Sequence, residues 1–410
     1  MLKNLIDIKH QLSDVDSSTK KNIFFLGLAV FLVLLSYPLI RSASTAIFLQ
    51  AYGAKSSPIV WVWSVLALSL LVSFYNHFQL KWRIHILYAG TGLFSIAFIL
   101  FCFMMVESGS SFFAWPFYIW KEVYIVVMLH MVYGLLNTLV DIKIARILYG
   151  PLGAIGSLGG VFGGLLTSQF TKEYGLSGIT IAGSFIILLS ILSYLMAEKT
   201  KINKLSEKKD ISPLASISNI KKYTALMASI VILSQFVINL ANFKFNILFE
   251  IAVPDEVTKT EQLGRLYTWI NLIAFFLQIA VLPFLLRFVS LKKIHLLIPI
   301  VYLATQMWTL GGGALAVASM FMVLKGTDYS IFAVSKELLY FPLTHKQKYG
   351  AKYIVDMFCY RFGKGLISFI MIYIQALFWI DTLLYTSLIL WIFAIIPLTR
   401  EHTKLTQESI

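Results

Sequence analysis

The chain predicts an all-α polytopic membrane protein with twelve transmembrane helices arranged as two six-helix halves. Three observations predict it. Hydrophobic residues make up 58% of the 410 positions and charged ones only 13%, against about 45–50% and about 25% in soluble domains; mean hydropathy is +0.79. Apolar runs of roughly 20 residues, long enough for a hydrocarbon core of about 30 Å, recur along the whole length. The basic residues fall in alternate loops. A membrane barrel is excluded, because its strands would read as short alternating segments.

In order, the expected spans are 22–50, 58–78, 84–106, 115–140, 148–170, 179–196, 224–249, 263–288, 294–310, 314–340, 353–378 and 383–398. The first follows a polar segment, 1–21, and is too long for the apolar stretch of a cleavable leader. It and the tenth exceed a straight crossing, so tilt or protrusion is expected. Lys81 and Arg83 divide the second span from the third, and Lys143 and Arg146 divide the fourth from the fifth. Lys199, Lys201, Lys204, Lys208 and Lys209 mark a linker, 197–223, that separates the halves 22–196 and 224–399. Lys292, Lys293, Lys346, Lys348 and the tail 400–410 lie on the same face. The opposite face carries Lys55, Lys172, Lys259 and Arg265. Positive loops mark the cytoplasmic side, so both termini are expected inside, with the bacterial inner membrane as the compartment. The same bias accounts for the net charge of +14 without a nucleic-acid partner. Six spans on each side of a long loop is the plan of a transporter built from two related halves.

Ionisable groups nevertheless sit deep in these runs: Arg41, Glu122, Lys325, Arg361 and Lys364. Each would cost about 2.5–3.5 kcal/mol at mid-membrane on insertion scales. Residues spaced i, i+4, i+7 share a helix face. On that spacing Tyr37, Arg41 and Ser44 align on the first span; Glu122, His130, Tyr133 and Asn137 on the fourth; Gln235, Asn239, Asn242 and Asn246 on the seventh; and Lys325, Asp328, Tyr329 and Lys336 on the tenth. Tyr360, Arg361, Lys364, Ser368 and Gln375 follow on the eleventh. By analogy with major-facilitator folds, helices one, four, seven and ten line a central cavity. Cations outnumber acids on those stripes, favouring an anionic solute; Arg suits bidentate oxyanion contacts and Lys a point charge.

Each role has a bland counterpart. Lys325 and Asp328 at i, i+3 could simply pair, and Asp356 could hold Arg361 or Lys352. His130 could relay protons or merely hydrogen-bond; Glu122 could couple transport as an ion-pair partner or as a protonated acid. Arg146, Glu337 and Asp356 at the cytoplasmic turns are candidate gates. Lys244 lies off the seventh-span stripe and stays outside the expected site, and Glu250 is expected to meet water at a membrane edge. Gly150, Gly153, Gly156, Gly159, Gly160, Gly163 and Gly164 give the fifth span small-residue spacing for close helix packing; with no Gly-Lys-Ser/Thr after them they do not form a phosphate loop. The two cysteines, Cys102 and Cys359, support neither a disulfide framework nor a metal site. No cofactor, metal or catalytic cluster is expected.

The segment 328–365 reads DYSIFAVSKELLYFPLTHKQKYGAKYIVDMFCYRFGKG. Glu337, Tyr340, Pro342, Leu343, Lys348, Tyr349, Lys352, Asp356, Arg361, Gly363 and Lys364 in it resemble the ATP/ADP translocase (nucleotide transporter) family of plastids and intracellular bacteria. Trp120, Glu122, Asn137, Ala145, Arg146 and Tyr149, and Tyr37 with Arg41, follow that family's order. The resemblance implies a major-facilitator-like nucleotide exchanger in which Glu122 and Lys364 matter for transport. Ser44-Thr45 stands where the family usually has Lys-Asp, and Asn239-Leu240-Ala241-Asn242 where it has Asn-Leu-x-Glu. This implies a divergent member with a conserved fold and a drifted substrate.

The expectation is therefore an alternating-access secondary transporter of an anionic, phosphorylated solute, nucleotides leading. Arg41, Lys325, Arg361, Lys364, Asn239, Asn242, Asn137 and Tyr37 are the candidate substrate contacts, and Glu122, Asp328 and His130 the coupling groups. The alternatives are a proton-coupled carrier of another small solute and a flippase for lipid-linked substrates.

Overall fold

The computed structural model describes residues 16–78, 81–139, 142–197 and 212–408. These are helical throughout, with no strand among the described residues. In chain order the main helices are α1 (Ser17–Tyr52), α2 (Ser57–Phe78), α3 (Ile84–Glu107), α4 (Ala114–Leu139), α5 (Ile142–Met196), α6 (Lys221–Ala252) and α7 (Glu256–Phe276). There follow α8 (Leu282–Phe288), α9 (Leu291–Trp308), α10 (Ala314–Thr327), α11 (Ala333–Leu338), α12 (His345–Lys352), α13 (Tyr360–Tyr373) and α14 (Leu377–Glu408). Wide π turns at Leu277–Val281, Asp328–Phe332 and Tyr353–Cys359 join α7 to α8, α10 to α11 and α12 to α13.

The expected spans lie largely on helix among the described residues, the eleventh being interrupted at 374–376 where Ile374 is extended, and nine helical stretches among the described residues are long and apolar enough to cross a membrane. The fifth and sixth spans are not separated by a loop: α5 runs through both, turned only at Gly175, whose φ of 62° is a left-handed conformation that a Cβ would oppose. The eleventh and twelfth are met by the π turn with α13 and by α14. Large apolar side chains such as Leu70, Phe74, Met104 and Phe393 are exposed, as a lipid-facing surface requires.

The chain forms two compact units. One comprises Met1–Ala51, Leu66–Leu205 and Pro254–Leu272; the other comprises Tyr52–Val65, Ser206–Val253 and Ile273–Ile410. The start of α7 thus packs with the first set of helices, and the peptide following α1 packs with the second.

In the first unit α5 is the packing spine. A Cβ on Gly159 or Gly163 would strike the carbonyl oxygens of Phe31 and Leu35 on α1, whereas Gly164 faces Gly264 and Thr268 of α7. Absent side chains on two faces thus let α5 approach two helix backbones at once. Its far half holds α3, with Tyr88 stacked on Tyr194 at 3.8 Å and bonded to Ser190 at 2.6 Å. Leu39 and Ala43 of α1 join Ile179 and Ile186 in a buried core.

In the second unit α6 packs against α10, α13 and α14. Phe245 stacks on Phe321 of α10 at 5.2 Å, and the α-carbon of Ile232 would lie 3.1 Å from a Cβ on Gly363 of α13. Glu250, expected at a membrane edge, is half-buried near the end of α6 and also has a structural contact. Its carboxylate accepts the Ala54 N–H at 2.7 Å, satisfying an orphan donor where the chain enters a 3-10 turn, Ala54–Ser56. Asn246 donates to Ser57 Oγ at 3.3 Å beside it.

Candidate functional site

The first unit holds the α1 and α4 candidates. Arg41 is 9% exposed, and its guanidinium carbon lies 4.3 Å from the ring centroid of Tyr267 and 5.3 Å from that of Tyr37. Two aromatic faces therefore bracket this cation, which is the favourable way to hold a weakly hydrated guanidinium in a dry place. Tyr37 also meets Tyr124 edge-on at 6.3 Å, and Tyr124 shares a hydrogen bond with Ser36 at 3.3 Å. Tyr267 was not anticipated, because α7 lay outside the expected cavity-lining set.

Glu122 pairs with its neighbour Lys121, Nζ to Oε1 at 3.1 Å. Lys121 is 1% exposed, and its ammonium sits 3.5 Å from the Tyr118 ring centroid. Consecutive residues do not share a helix face, so a stripe drawn through Glu122 misses Lys121; the adjacent letters Lys-Glu inside an apolar run were the available signal. His130 is exposed on α4, its ring edge-on to Tyr75 at 5.7 Å. Asn137 and Arg146 lie outside the described side chains.

The second unit holds the remaining candidates. Asn239 is buried but donates to Gln235 O on its own helix at 2.7 Å; Asn242, three residues on, is half-buried. Lys244, left outside the expected site, is the most constrained cation on α6. It is 5% exposed, and its Nζ donates to Asp381 Oδ1 at 2.6 Å and to Thr309 Oγ1 at 3.0 Å, while Gln306 donates to the same carboxylate at 2.7 Å. Asp381 at the start of α14 escaped notice because it reads as a loop residue between two apolar runs.

Around the π turns the pairing differs from expectation. Asp356 holds neither Arg361 nor Lys352; it accepts Lys336 at 2.7 Å, and Lys352 reaches Glu337 at 2.7 Å. Both candidate gate acids thus have cations within their own unit. Each π turn widens the helix by one residue per turn, which rotates downstream side chains away from simple i, i+4 neighbours. Lys325 and Asp328 form no ion pair: the Lys325 ammonium lies 5.2 Å from the Tyr329 ring centroid, and Asp328, 9% exposed, opens the π turn. Arg361 and Lys364 are half-buried on α13, and among the described residues Arg361 has no ion pair. Ser368 spends its hydroxyl on the Lys364 carbonyl at 2.7 Å.

The described residues thus form a multi-pass membrane protein with cations and acids embedded in its apolar helices. Residues 314–402 match the family described as TLC ATP/ADP transporter. ADP,ATP carrier protein 3 of Rickettsia conorii is 21% identical over an alignment covering 93% of this chain and 94% of that one. The protein of the same name in Rickettsia typhi is 22% identical with the same coverage. Among solved structures, a mutant of the nucleoside transporter NupG superposes with a TM-score of 0.66 at 14% identity, covering 94% of this chain and 99% of that one. A bacterial homologue of the human lysosomal transporter Spinster, inward-facing and unoccupied, gives 0.58 at 11% identity, covering 96% and 98%. The structural likenesses show that the helical fold is shared with these proteins. The similarity to the ATP/ADP transporter family thus covers residues 314–402, which contain the segment 328–365, and the ADP,ATP carriers align along most of the chain at low identity.

Proposed function

We propose that this protein is a secondary transporter that exchanges nucleotides or closely related phosphorylated anions across the membrane. One observation carries the reading. The segment matched to the ATP/ADP transporters contains Lys325, Arg361 and Lys364 within apolar helices, and Lys325 and Arg361 have no carboxylate partner among the described residues. A cation kept in a span without a fixed counter-ion favours an anion that arrives and leaves. Arg361 suits a phosphate edge and Lys325 and Lys364 a diffuse charge. In the first unit, Arg41 serves the same chemistry, with Tyr37 beside it; Asn239, Asn242 and Asn137 hydrogen-bond the uncharged part of the substrate. Glu122, Asp328 and His130 are the coupling candidates, and Arg146, Glu337 and Asp356 the candidate gates.

The ADP,ATP carriers that align along nearly the whole chain support nucleotides over another solute or a lipid-linked substrate. The loop lysines support twelve crossings in two halves of six, with both termini in the cytoplasm of a bacterium and the protein in its inner membrane. The test is exchange of radiolabelled ATP, ADP and other nucleotides in proteoliposomes, preceded by a thermal-shift screen of nucleotides and sugar phosphates, since a ligand of the folded state raises apparent stability. Lys364→Ala and Arg361→Gln should raise the half-saturating nucleotide concentration at least tenfold. Absence of uptake for every nucleotide tried refutes the assignment.

A further inference from the structure

We propose that the cleft between the start of α6 and the end of α14 is a seat for the phosphate headgroup of an anionic phospholipid. The inference does not depend on which solute the protein carries. A cleft of about 490 Å³ lies there, within the range of sites that hold a small ligand. Lys222 from the first turn of α6 lines it, with Arg400 and Lys404 one turn apart on α14. Glu401 is the one acid among the lining residues, so three cations against one carboxylate leave the seat positive. Its level relative to a bilayer follows from length. α14 has 32 residues, about 48 Å at 1.5 Å per residue, whereas a hydrocarbon core is about 30 Å thick. The apolar run ends at Leu398, so the polar turns from Thr399 onward leave that core among the headgroups.

One exposed stripe of α14 joins the two environments. Leu390, Phe393, Pro397, Arg400 and Lys404 recur at intervals of three and four, which places them on one helix face. Leu390 and Phe393 are 52% and 64% exposed, and Arg400 and Lys404 are exposed on the same face. An apolar lane about 10 Å long, from Leu390 to Pro397, thus runs up to the cations. That pattern matches an amphiphile whose acyl chain follows the lane and whose phosphate ends it. A free phosphate has no use for the lane, and a zwitterionic headgroup none for the surplus charge. The cations are also available. Glu401 Oε1 holds Lys222 at 2.7 Å and Lys404 at 3.5 Å, but the two lysine side chains are 73% and 66% exposed. Ion pairs this exposed are weak, so both ammonium groups can turn to a phosphate while Glu401 keeps them gathered between α6 and α14. Arg400 forms no ion pair among the described residues, and its planar fork suits two phosphate oxygens at once. Basic pockets between spanning helices bind anionic headgroups in this way.

The experiment titrates the purified full chain in dodecyl maltoside with phosphatidylglycerol, or with phosphatidylcholine of the same acyl chains, and reads bound lipid by native mass spectrometry. Each cation at a membrane surface contributes about a fivefold gain in affinity for anionic lipid. The expected result is therefore phosphatidylglycerol bound at least about tenfold more tightly than phosphatidylcholine. Arg400→Gln combined with Lys404→Gln should weaken phosphatidylglycerol by at least about tenfold and leave phosphatidylcholine unchanged. Phe393→Ala should weaken phosphatidylglycerol about threefold or more, because the lane loses its largest apolar group. Lys292→Gln combined with Lys293→Gln removes two exposed lysines of α9 and should change nothing. Equal affinity for the two lipids overturns the proposal. So does an equal loss in the α9 variant, which would mark diffuse surface charge in place of a seat. Displacement of the lipid by glycerol phosphate at matched concentration overturns the lipid assignment, because the cleft would then read a free anion. Should the double α14 variant fail to fold, Arg400→Gln alone, expected to cost about fivefold, decides together with the wild-type comparison of the two lipids.

Discussion

The Lys244–Asp381 pair allows a quantitative test of how charge is held inside the second unit. Breaking a fully buried ion pair costs about 3–5 kcal/mol, mostly because the surviving charge is stranded. Here the two partners are unequally buried: the Lys244 side chain is 6% exposed and that of Asp381 26%. Removing Asp381 strands the better-buried ammonium with only Thr309 Oγ1 and also orphans Gln306 Nε2. Asp381→Leu should therefore cost about 3 kcal/mol or more. Removing Lys244 leaves a carboxylate that still accepts from Gln306 and can rehydrate, so Lys244→Met should cost roughly 1–2 kcal/mol. The double substitution replaces a pair by apolar groups of similar size and should recover most of the loss, within about 1 kcal/mol of the parent. The assay is thermal unfolding in detergent with a thiol-reactive fluorogenic dye, since Cys102 and Cys359 are both free and buried and become reactive only on unfolding. Equal costs for the two single variants, or an additive double variant, would refute the stranded-charge argument.

Other substitutions probe other parts of the fold. Gly163→Leu should lower stability by about 1–3 kcal/mol by forcing α5 off the α1 backbone; Gly150→Ala, with open space around its α-carbon, should be neutral or slightly stabilising in the same melt. Tyr267→Leu should cost about 0.5–2 kcal/mol by removing the closer face under Arg41, and Tyr267→Phe should retain most of it. Asp255 accepts from the Thr258 N–H and hydroxyl, both at 2.7 Å, and these bonds hold its carboxyl below the ordinary value of 3.8. A carboxyl depressed in the fold stabilises above its unfolded pKa and loses that contribution as pH falls through the folded one. Deuterium exchange in the first turn of α7, corrected for intrinsic rate, should therefore rise in Asp255→Ala at neutral pH and in the wild type below about pH 4.

By itself the sequence determined what solvent decides. Twenty-residue apolar runs can satisfy their backbone in lipid only as helices, and this is why the expected spans lie largely on helix. The glycine spacing of α5 announced close packing because nothing but an absent side chain admits another backbone, and the segment around Arg361 and Lys364 carried enough letters to imply the family. Helical periodicity also placed Arg41, Glu122 and Asp328 inside spans, since their cost in lipid makes each conspicuous. What it left open was who neutralises whom. A stripe drawn at 3.6 residues per turn assumes an unbroken helix and looks only along it. It therefore missed Lys121 beside Glu122, and it missed Tyr267 and Asp381, which come from helices distant in sequence. The π turns shifted Asp328 and Asp356 away from the partners that spacing assigned them. The contact of Glu250 with the Ala54 N–H went unforeseen for the same reason: hydrogen bonds and ion pairs are made over a few ångströms across helices, and the packing of those helices decides which groups come that near.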